Sequence, residues 1–349
     1  MSTYKGNLEI SVFGESHGEY IGITIHNFPS NINLNIEKIK SDLKKRSSFT
    51  ISKSKRTEPD EFNIISGYFN NLTTGAPLTF LIKNKDVNSN VYLDNLGKIR
   101  PSHGDYTSFV KYKGANDFRG GGHLSGRLTS LFVILGSICE NELLKHNIKI
   151  TSCIKSIYNI ESDTYNIDNL DESFPVCDPI KKEEMITFLS NLHNDSVGGV
   201  VETFVNGAPI GLGNPIFDSV ESVISHLMFS IPAIKGIEFG SGFDITKSKG
   251  SLVNDQIEYD NGNVRFLSNN SGGIQGGISN GEVINFRCAI KPTPSIAIPL
   301  KSINVFTKEN LIVQTTGRHD ACIVPKVVHV INAMTQFAIY DLLLGEKNG

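Results

Sequence analysis

The chain has 349 residues, with 33 lysines and arginines against 36 aspartates and glutamates and a formal net charge of -3 at pH 7. That length suits one large domain or two and is ample for a buried core. The slight negative charge argues against non-specific binding to nucleic acid or an anionic membrane.

Two strands are predicted at residues 8–13 and 21–26, where Ile21, Ile23 and Ile25 alternate with smaller or polar residues. The turn between them is GESHG, residues 14–18. Residues 36–46 have helical spacing, with Ile36, Ile39 and Leu43 on one face and Asn35 as the cap. A basic, Ser-rich surface loop follows, then strands at 62–67 and 78–83. Residues 100–122 show no period and read as a long functional loop. From His123 onward Leu124, Leu128, Leu131, Leu135 and Ile138 predict a long buried helix, with Gly120 to Gly122 just before it. Residues 150–200 read as an inserted excursion with a short helix near 182–193. Strands at 199–205 and 282–290, a helix over 218–230, a Gly-rich crossing at 272–281, an extended KPTPS segment at 291–295 and a helix over 325–344 complete the chain. Strand runs alternating with widely spaced helices predict a layered α+β fold without an evident linker.

Five cysteines, at 139, 153, 177, 288 and 322, form no C-x-x-C pair. Reduced thiols, no zinc site and a cytoplasmic protein are expected. The N-terminal MSTYKGNLEI lacks the apolar core of a signal peptide. No apolar run is expected to reach the roughly 18 residues of a membrane span.

Four Gly-rich segments carry ionisable groups: GESHG (14–18), RPSHGD (100–105), RGGGHLSGR (119–127) and GRHD (317–320). Arg46, Arg56, Arg100, Arg119, Arg127 and Arg318 fall in or beside irregular segments. Bare backbone and guanidinium groups together suit a small polyanionic ligand. The start of the helix near residue 124 is a second expected anion site. His17 and His103 are the acid–base candidates, because imidazole titrates near neutrality. Asp320 is a base or an orienting group. No Rossmann fingerprint, P-loop or metal-ligand motif is present.

These segments, in this order, resemble the chorismate synthase family. The resemblance rests on FGESHG (13–18), RTEPDE (56–61), SGYFNNLTTGAP (66–77), RPSHGDYT (100–107), KYKGANDFRGGGHLSGR (111–127), NGAPIGLGNPIFD (206–218), SIPAIKGIEFGSGF (230–243), NNSGGIQGGIS (269–279), AIKPTPSI (289–296) and TTGRHDAC (315–322). It implies a β-α-β sandwich in a single large domain over residues 1–349, assembled as a homotetramer. It also implies a carbon–oxygen lyase that converts 5-enolpyruvylshikimate 3-phosphate to chorismate and phosphate by anti 1,4-elimination. Reduced FMN would be a cofactor that is not consumed, and NADPH at most its reductant. By the same resemblance His17 would protonate the reduced flavin and His103 would protonate the departing phosphate. Asp320 would act near the flavin N5, and Ser16 and Ser125 would join the proton network. Arg46, Arg100, Arg119 and Arg127, with Arg56, would clamp the substrate. The cofactor would meet His123, Leu124, Ser125, Pro232, Ala233, Gly276, Lys291, Pro292, Thr293, Pro294, Ser295 and Arg318. The chain departs from the family pattern at KRSSFTISKSK (45–55), at His123 in place of Arg and at Pro232 in place of Asn.

Overall fold

The computed structural model describes residues 2–49, 60–85, 96–167, 170–314 and 320–348, with side chains through Glu346. Ile21, Ile23 and Ile25 are fully buried on one face of the strand Tyr20–His26, as its alternation requires. Each such side chain contributes about 1.5–3 kcal/mol on burial. This strand pairs antiparallel with Glu9–Gly14 and Leu78–Lys83, and Thr3–Lys5 and Phe62–Ser66 form the edges of the five-stranded sheet. A second five-stranded antiparallel sheet runs in the order Ile234–Phe239, Ile284–Ile290, Gly199–Asn206, Lys149–Ile157, Ile160–Glu161.

A helical layer lies between the sheets. The helix Thr129–Leu144 packs on Tyr20–His26 of one sheet and on Lys149–Ile157 of the other. Beside it run Ile36–Ser48 and the C-terminal helix Val324–Asn348, which also covers Lys149–Ile157 and Gly199–Asn206. The architecture is therefore the expected α+β sandwich. Asn35 caps the first helix, its side chain accepting from the Lys38 amide at 3.0 Å. The Asp341 carboxylate accepts from the Leu8 amide at 2.6 Å and the Tyr4 hydroxyl at 3.2 Å, tying the last helix to the N-terminal sheet.

Several expectations change. The segments Arg119–Leu144 and Val324–Glu346 are long and apolar enough to cross a membrane, but 72% and 83% of their apolar windows are buried inside the molecule, which marks them as core helices. The 150–200 stretch is not an excursion: Lys149–Ile157 lies inside the second sheet. It escapes a period-two reading because it is buried on both faces and carries Thr151, Ser152 and Cys153 there; Ser152 shares a 2.8 Å hydrogen bond with Thr203 on the next strand. A helix, Asp105–Lys111, interrupts the 100–122 loop. The long α-helix begins at Thr129, after two short 3-10 turns at Arg119–Leu124 and Gly126–Leu128. Gly120 to Gly122 thus stand apart from its N-terminus, and the expected helix-end anion site is not formed there. Cys153 and Cys177 are joined as a disulfide, brought together where Ile154 bridges Val176. Cys139, Cys288 and Cys322 are free and buried, and burial pushes the Cys288 and Cys322 thiols up to about 12.

Candidate active site

The turn that carries His17 is held from two sides. Within it, the Gly18 amide donates to the Glu15 carbonyl at 3.0 Å. On one side, Asn84, just past the strand Leu78–Lys83, donates its Nδ2 to the carbonyls of Glu15 at 3.0 Å and Gly18 at 2.8 Å. On the other side, the Ser16 amide donates to the Gly122 carbonyl at 3.1 Å and the Ser16 hydroxyl to the Gly120 carbonyl at 3.2 Å. His17 is only 8% exposed between them. A Cβ at residue 120 would lie 2.3 Å from His17 Cδ2 and 2.4 Å from Nε2, and Gly120 sits at φ +58°. Both the space and the left-handed backbone there exclude a side chain. The main chain of Gly120 is therefore a wall of the imidazole pocket.

His103 stands in a second braced turn. Arg100 grips Asp105 through Nε and Nη2, both at 2.8 Å, and the Arg100 amide donates to the same carboxylate at 3.0 Å. Burial alone would raise the Asp105 carboxyl, but the hydrogen bonds and charge of Arg100 hold it below the ordinary value. His103 Nε2 shares a 2.8 Å hydrogen bond with Ser295 Oγ. Lys291 joins the same place, donating its Nζ to the Ser102 carbonyl at 2.8 Å and its amide to Ala233 at 3.0 Å. The Leu124 side chain packs on Gly104, with Cδ1 2.7 Å from where a Cβ would be. One short segment, 120–124, thus touches the His17 turn at one end and the His103 turn at the other.

The described arginines expected to clamp an anion form four ion pairs with three carboxylates. Arg46 and Arg127 share one carboxylate, Asp60, which Arg46 Nη1 reaches at 3.1 Å and Arg127 through Nη1. Arg46 also donates to Thr129 Oγ1 at 3.2 Å and to the Gly126 carbonyl at 3.1 Å, and Arg127 Nε donates to Asn84 Oδ1 at 3.3 Å. Burial first, and then the Arg127 charge, pulls Arg46 below its ordinary value against the pull of Asp60. Arg119 grips Asp117 bidentately, with both bonds at 2.8 Å. Arg46 and Arg127 therefore meet, whereas Arg100 belongs to the His103 turn and Arg119 to the segment that walls His17. Arg56 and Arg318 lie outside the described residues.

Beside this segment is a mainly apolar cavity of about 480 Å³, within the range of small-molecule sites. His123, Leu124, Ser125 and Pro232 line it, along with Phe132 and Phe229. Neither His17 nor His103 is among its lining residues; they flank the segment that forms its wall. His123 is fixed by a 2.8 Å bond from Nδ1 to the Gly14 carbonyl and by Ser2 at Nε2. Ser125 Oγ accepts from the Arg127 amide at 3.3 Å. The segment Lys291, Pro292, Thr293, Pro294, Ser295 continues from the strand Ile284–Ile290 past His103. The Thr293 Oγ1 atom is buried with no hydrogen-bond partner among the described residues. Asp320 pairs with Lys326 Nζ at 2.7 Å, and the next residue, Ala321, accepts from Val197 at 2.9 Å, beside Ser196, whose hydroxyl donates to the Thr293 carbonyl at 2.6 Å. The turn that carries Gly276 packs on the 213–220 segment, where the Gly277 carbonyl accepts from Val220 at 2.9 Å.

Sequence reading missed Asp60, Asn84, Asp105, Asp117 and Lys326. Asp105 and Asp117 were within reach, standing five residues after Arg100 and two before Arg119. Asp60 and Asn84 reach their partners only through the fold.

A family model described as chorismate synthase matches residues 8–344. A chorismate synthase of Dehalococcoides mccartyi is 39% identical over 353 residues, covering 99% of this chain and 97% of the relative. One of Thermococcus kodakarensis is 38% identical over 343 residues, covering 97% of each. A crystal structure of chorismate synthase superposes with a TM-score of 0.76 at 28% identity, over 98% of this chain and 93% of the other. Matched along nearly its whole length in both sequence and fold, the chain belongs to the chorismate synthase family, enzymes of the lyase class.

Proposed function

We propose that the chain converts 5-enolpyruvylshikimate 3-phosphate to chorismate and inorganic phosphate by an anti 1,4-elimination, with reduced FMN as a cofactor that is not consumed. The observation that carries this reading is the single glycine-bared segment 120–124, which abuts the buried His17 at one end and the His103 turn at the other.

The residues present fit a flavin. The cavity beside His123, Leu124, Ser125 and Pro232 has the size and apolar lining a planar ring system needs. Thr293 Oγ1, buried and without a protein partner among the described residues, lies in the segment assigned to the same cofactor. In this reading Lys291 to Ser295 and Ala233 border the ligand. Electron density lent to the substrate and then recovered is the chemistry a reduced flavin supplies there.

The protein's own groups do the rest. The phosphate leaves with the electron pair of the C–O bond, and the electron pair of the broken C–H bond becomes the new carbon–carbon double bond as the existing one shifts. The C–H proton is taken up at the cofactor edge, where Asp320 would be the chain's own base or orienting group. His103 Nε2, oriented by Ser295 Oγ at 2.8 Å, delivers a proton to the departing phosphate oxygen. His17, shut in behind the Gly120 main chain, holds its proton away from bulk water. Arg46, Arg127, Arg100 and Arg119 are set by internal carboxylates before any substrate arrives, so little reorganisation accompanies binding. A single catalytic domain spanning residues 1–349, a homotetramer, a cytoplasmic location and NADPH solely as a flavin reductant belong to the same proposal.

The test is phosphate release from the enolpyruvyl substrate under anaerobic conditions, with and without dithionite-reduced FMN. Release only with reduced FMN, over many turnovers and with the flavin still reduced, is expected. Oxidation of one flavin per phosphate released would replace the elimination with a net redox reaction.

A further inference from the structure

The proposed reaction uses imidazoles and guanidiniums, and Asn84 is neither. Yet Asn84 is 8% exposed, and each hydrogen bond described for it goes to that machinery. Its amide donates to the Glu19 carbonyl at 3.0 Å. Nδ2 donates to the carbonyls of Glu15 and Gly18, on either side of His17, at 3.0 and 2.8 Å. Oδ1 accepts from Arg127 Nε at 3.3 Å. The chemistry of the partners fixes this orientation: carbonyl oxygens only accept, and a guanidinium only donates. A flipped amide would lose all three side-chain bonds. A residue that merely capped the turn would need the two donors and no more.

The third bond leads on to a charged network. Arg127 engages Asp60, and Asp60 engages Arg46. Asn84 is thus the side chain that links the His17 turn to the paired arginines. A primary amide provides two donors and one acceptor on one short stem, and no charged side chain does this.

We propose that Asn84 is a positioning residue that sets the His17 turn in register with the Arg127–Asp60–Arg46 network, so that the proton-holding and anion-binding halves of the site are aligned by one side chain. Its effect on turnover rests on the reaction proposed above. Its effect on the turn does not.

Two variants separate the halves. Asn84→Asp keeps the size and the acceptor facing Arg127 but sets a carboxylate oxygen against the Glu15 and Gly18 carbonyls. Asn84→Leu removes both halves while keeping the branched shape and the number of side-chain heavy atoms. For each, kcat is measured with reduced FMN under anaerobic conditions. Substrate Kd is measured by calorimetry without flavin, and amide hydrogen exchange on the flavin-free chain. For Asn84→Asp, kcat is expected to fall about tenfold to a hundredfold while the flavin-free Kd stays within about threefold of wild type. Exchange should accelerate at residues 14–20 and not in the helix Thr129–Leu144. For Asn84→Leu, Kd should weaken about tenfold as well.

Wild-type kcat in Asn84→Asp would overturn the proposal, as would unchanged exchange at 14–20. Faster exchange throughout the chain, with kcat and Kd moving together in both variants, would overturn it in favour of a purely structural role. Should the wild-type chain release no phosphate, the proposed reaction fails, while the exchange contrast at residues 14–20 against the helix Thr129–Leu144 still decides whether Asn84 sets the turn.

Discussion

Asp60 is the most informative single residue to change. Its side chain is 4% exposed and is shared by Arg46 and Arg127, themselves 15% and 14% exposed. Asp60→Asn keeps the shape and removes the charge, leaving two largely buried guanidiniums close together with no carboxylate between them. Removing one partner of a buried ion pair costs about 3–5 kcal/mol, because the remaining charge stays buried. An unfolding entropy of about 2.1 cal/mol/K per residue over 349 residues comes to about 0.7 kcal/mol/K, so the loss corresponds to a fall in Tm of about 4–7 °C. Differential scanning calorimetry near neutral pH measures it. Adding Arg46→Met, which removes one of the two cations, should recover part of the loss. Under the proposed clamp role of the two arginines, saturating 5-enolpyruvylshikimate 3-phosphate should raise the Tm of Asp60→Asn more than that of wild type, its anionic groups replacing the lost carboxylate. A Tm within about 1 °C of wild type would refute the reasoning, since a buried unpaired charge cannot be that cheap. Strict additivity with Arg46→Met would also refute it, because groups sharing one carboxylate must couple.

Three further outcomes follow from the geometry. His103→Ala should lower turnover in the anaerobic phosphate-release assay by about 10²–10⁴-fold, the usual worth of a placed proton donor, with flavin affinity near wild type; a large loss of flavin binding at undiminished turnover would contradict the assignment. Gly120→Ala forces a Cβ to within 2.4 Å of the His17 ring at a φ of +58°, so turnover should fall sharply with the overall circular dichroism spectrum unchanged, and a fully active variant would show that the imidazole does not depend on that wall. Asp105→Asn tests the brace beneath His103. Arg100 holds the folded Asp105 carboxyl below its ordinary value, so its stabilisation is present above the ordinary carboxylate range and is lost as pH falls through the lowered value. The Tm gap between wild type and Asp105→Asn should therefore be steady near neutrality and close below about pH 4; a gap that persists or widens in acid would contradict it.

The parts of this molecule legible in the sequence are those whose signal is local. The strand Tyr20–His26 alternates because one of its faces is core, and the helix Ile36–Ser48 starts at Asn35 because an Asx side chain can satisfy its first amides. His17 and His103 could be singled out because each places a ring that titrates near neutrality in a glycine-bearing turn, although a turn histidine by itself is more often a hydrogen-bonding residue and only the order of such segments along the chain gives the pair weight. Local signal failed where burial on both faces erased the period, as in Lys149–Ile157, whose Thr, Ser and Cys residues look like surface until the neighbouring strand supplies their partners. The disulfide between Cys153 and Cys177 failed for a related reason, since only the pairing of Ile154 with Val176 brings the two thiols together. Most instructive is the proposed anion clamp. Sequence supplies the cations, but a guanidinium is useful for recognition only when its direction is fixed, and a side chain with four rotatable bonds has no direction of its own. In this fold the carboxylates of Asp60, Asp105 and Asp117 provide it. Two of the three lie within five residues of their arginine, so the bidentate grip is itself encoded locally. Asp60 comes from a different part of the chain, and together with Asn84 it ties the His17 turn to Arg127 and Arg46. Residues of this kind carry no motif because their partners are chosen by tertiary distance, so the least conspicuous polar groups in the sequence align the most conspicuous ones.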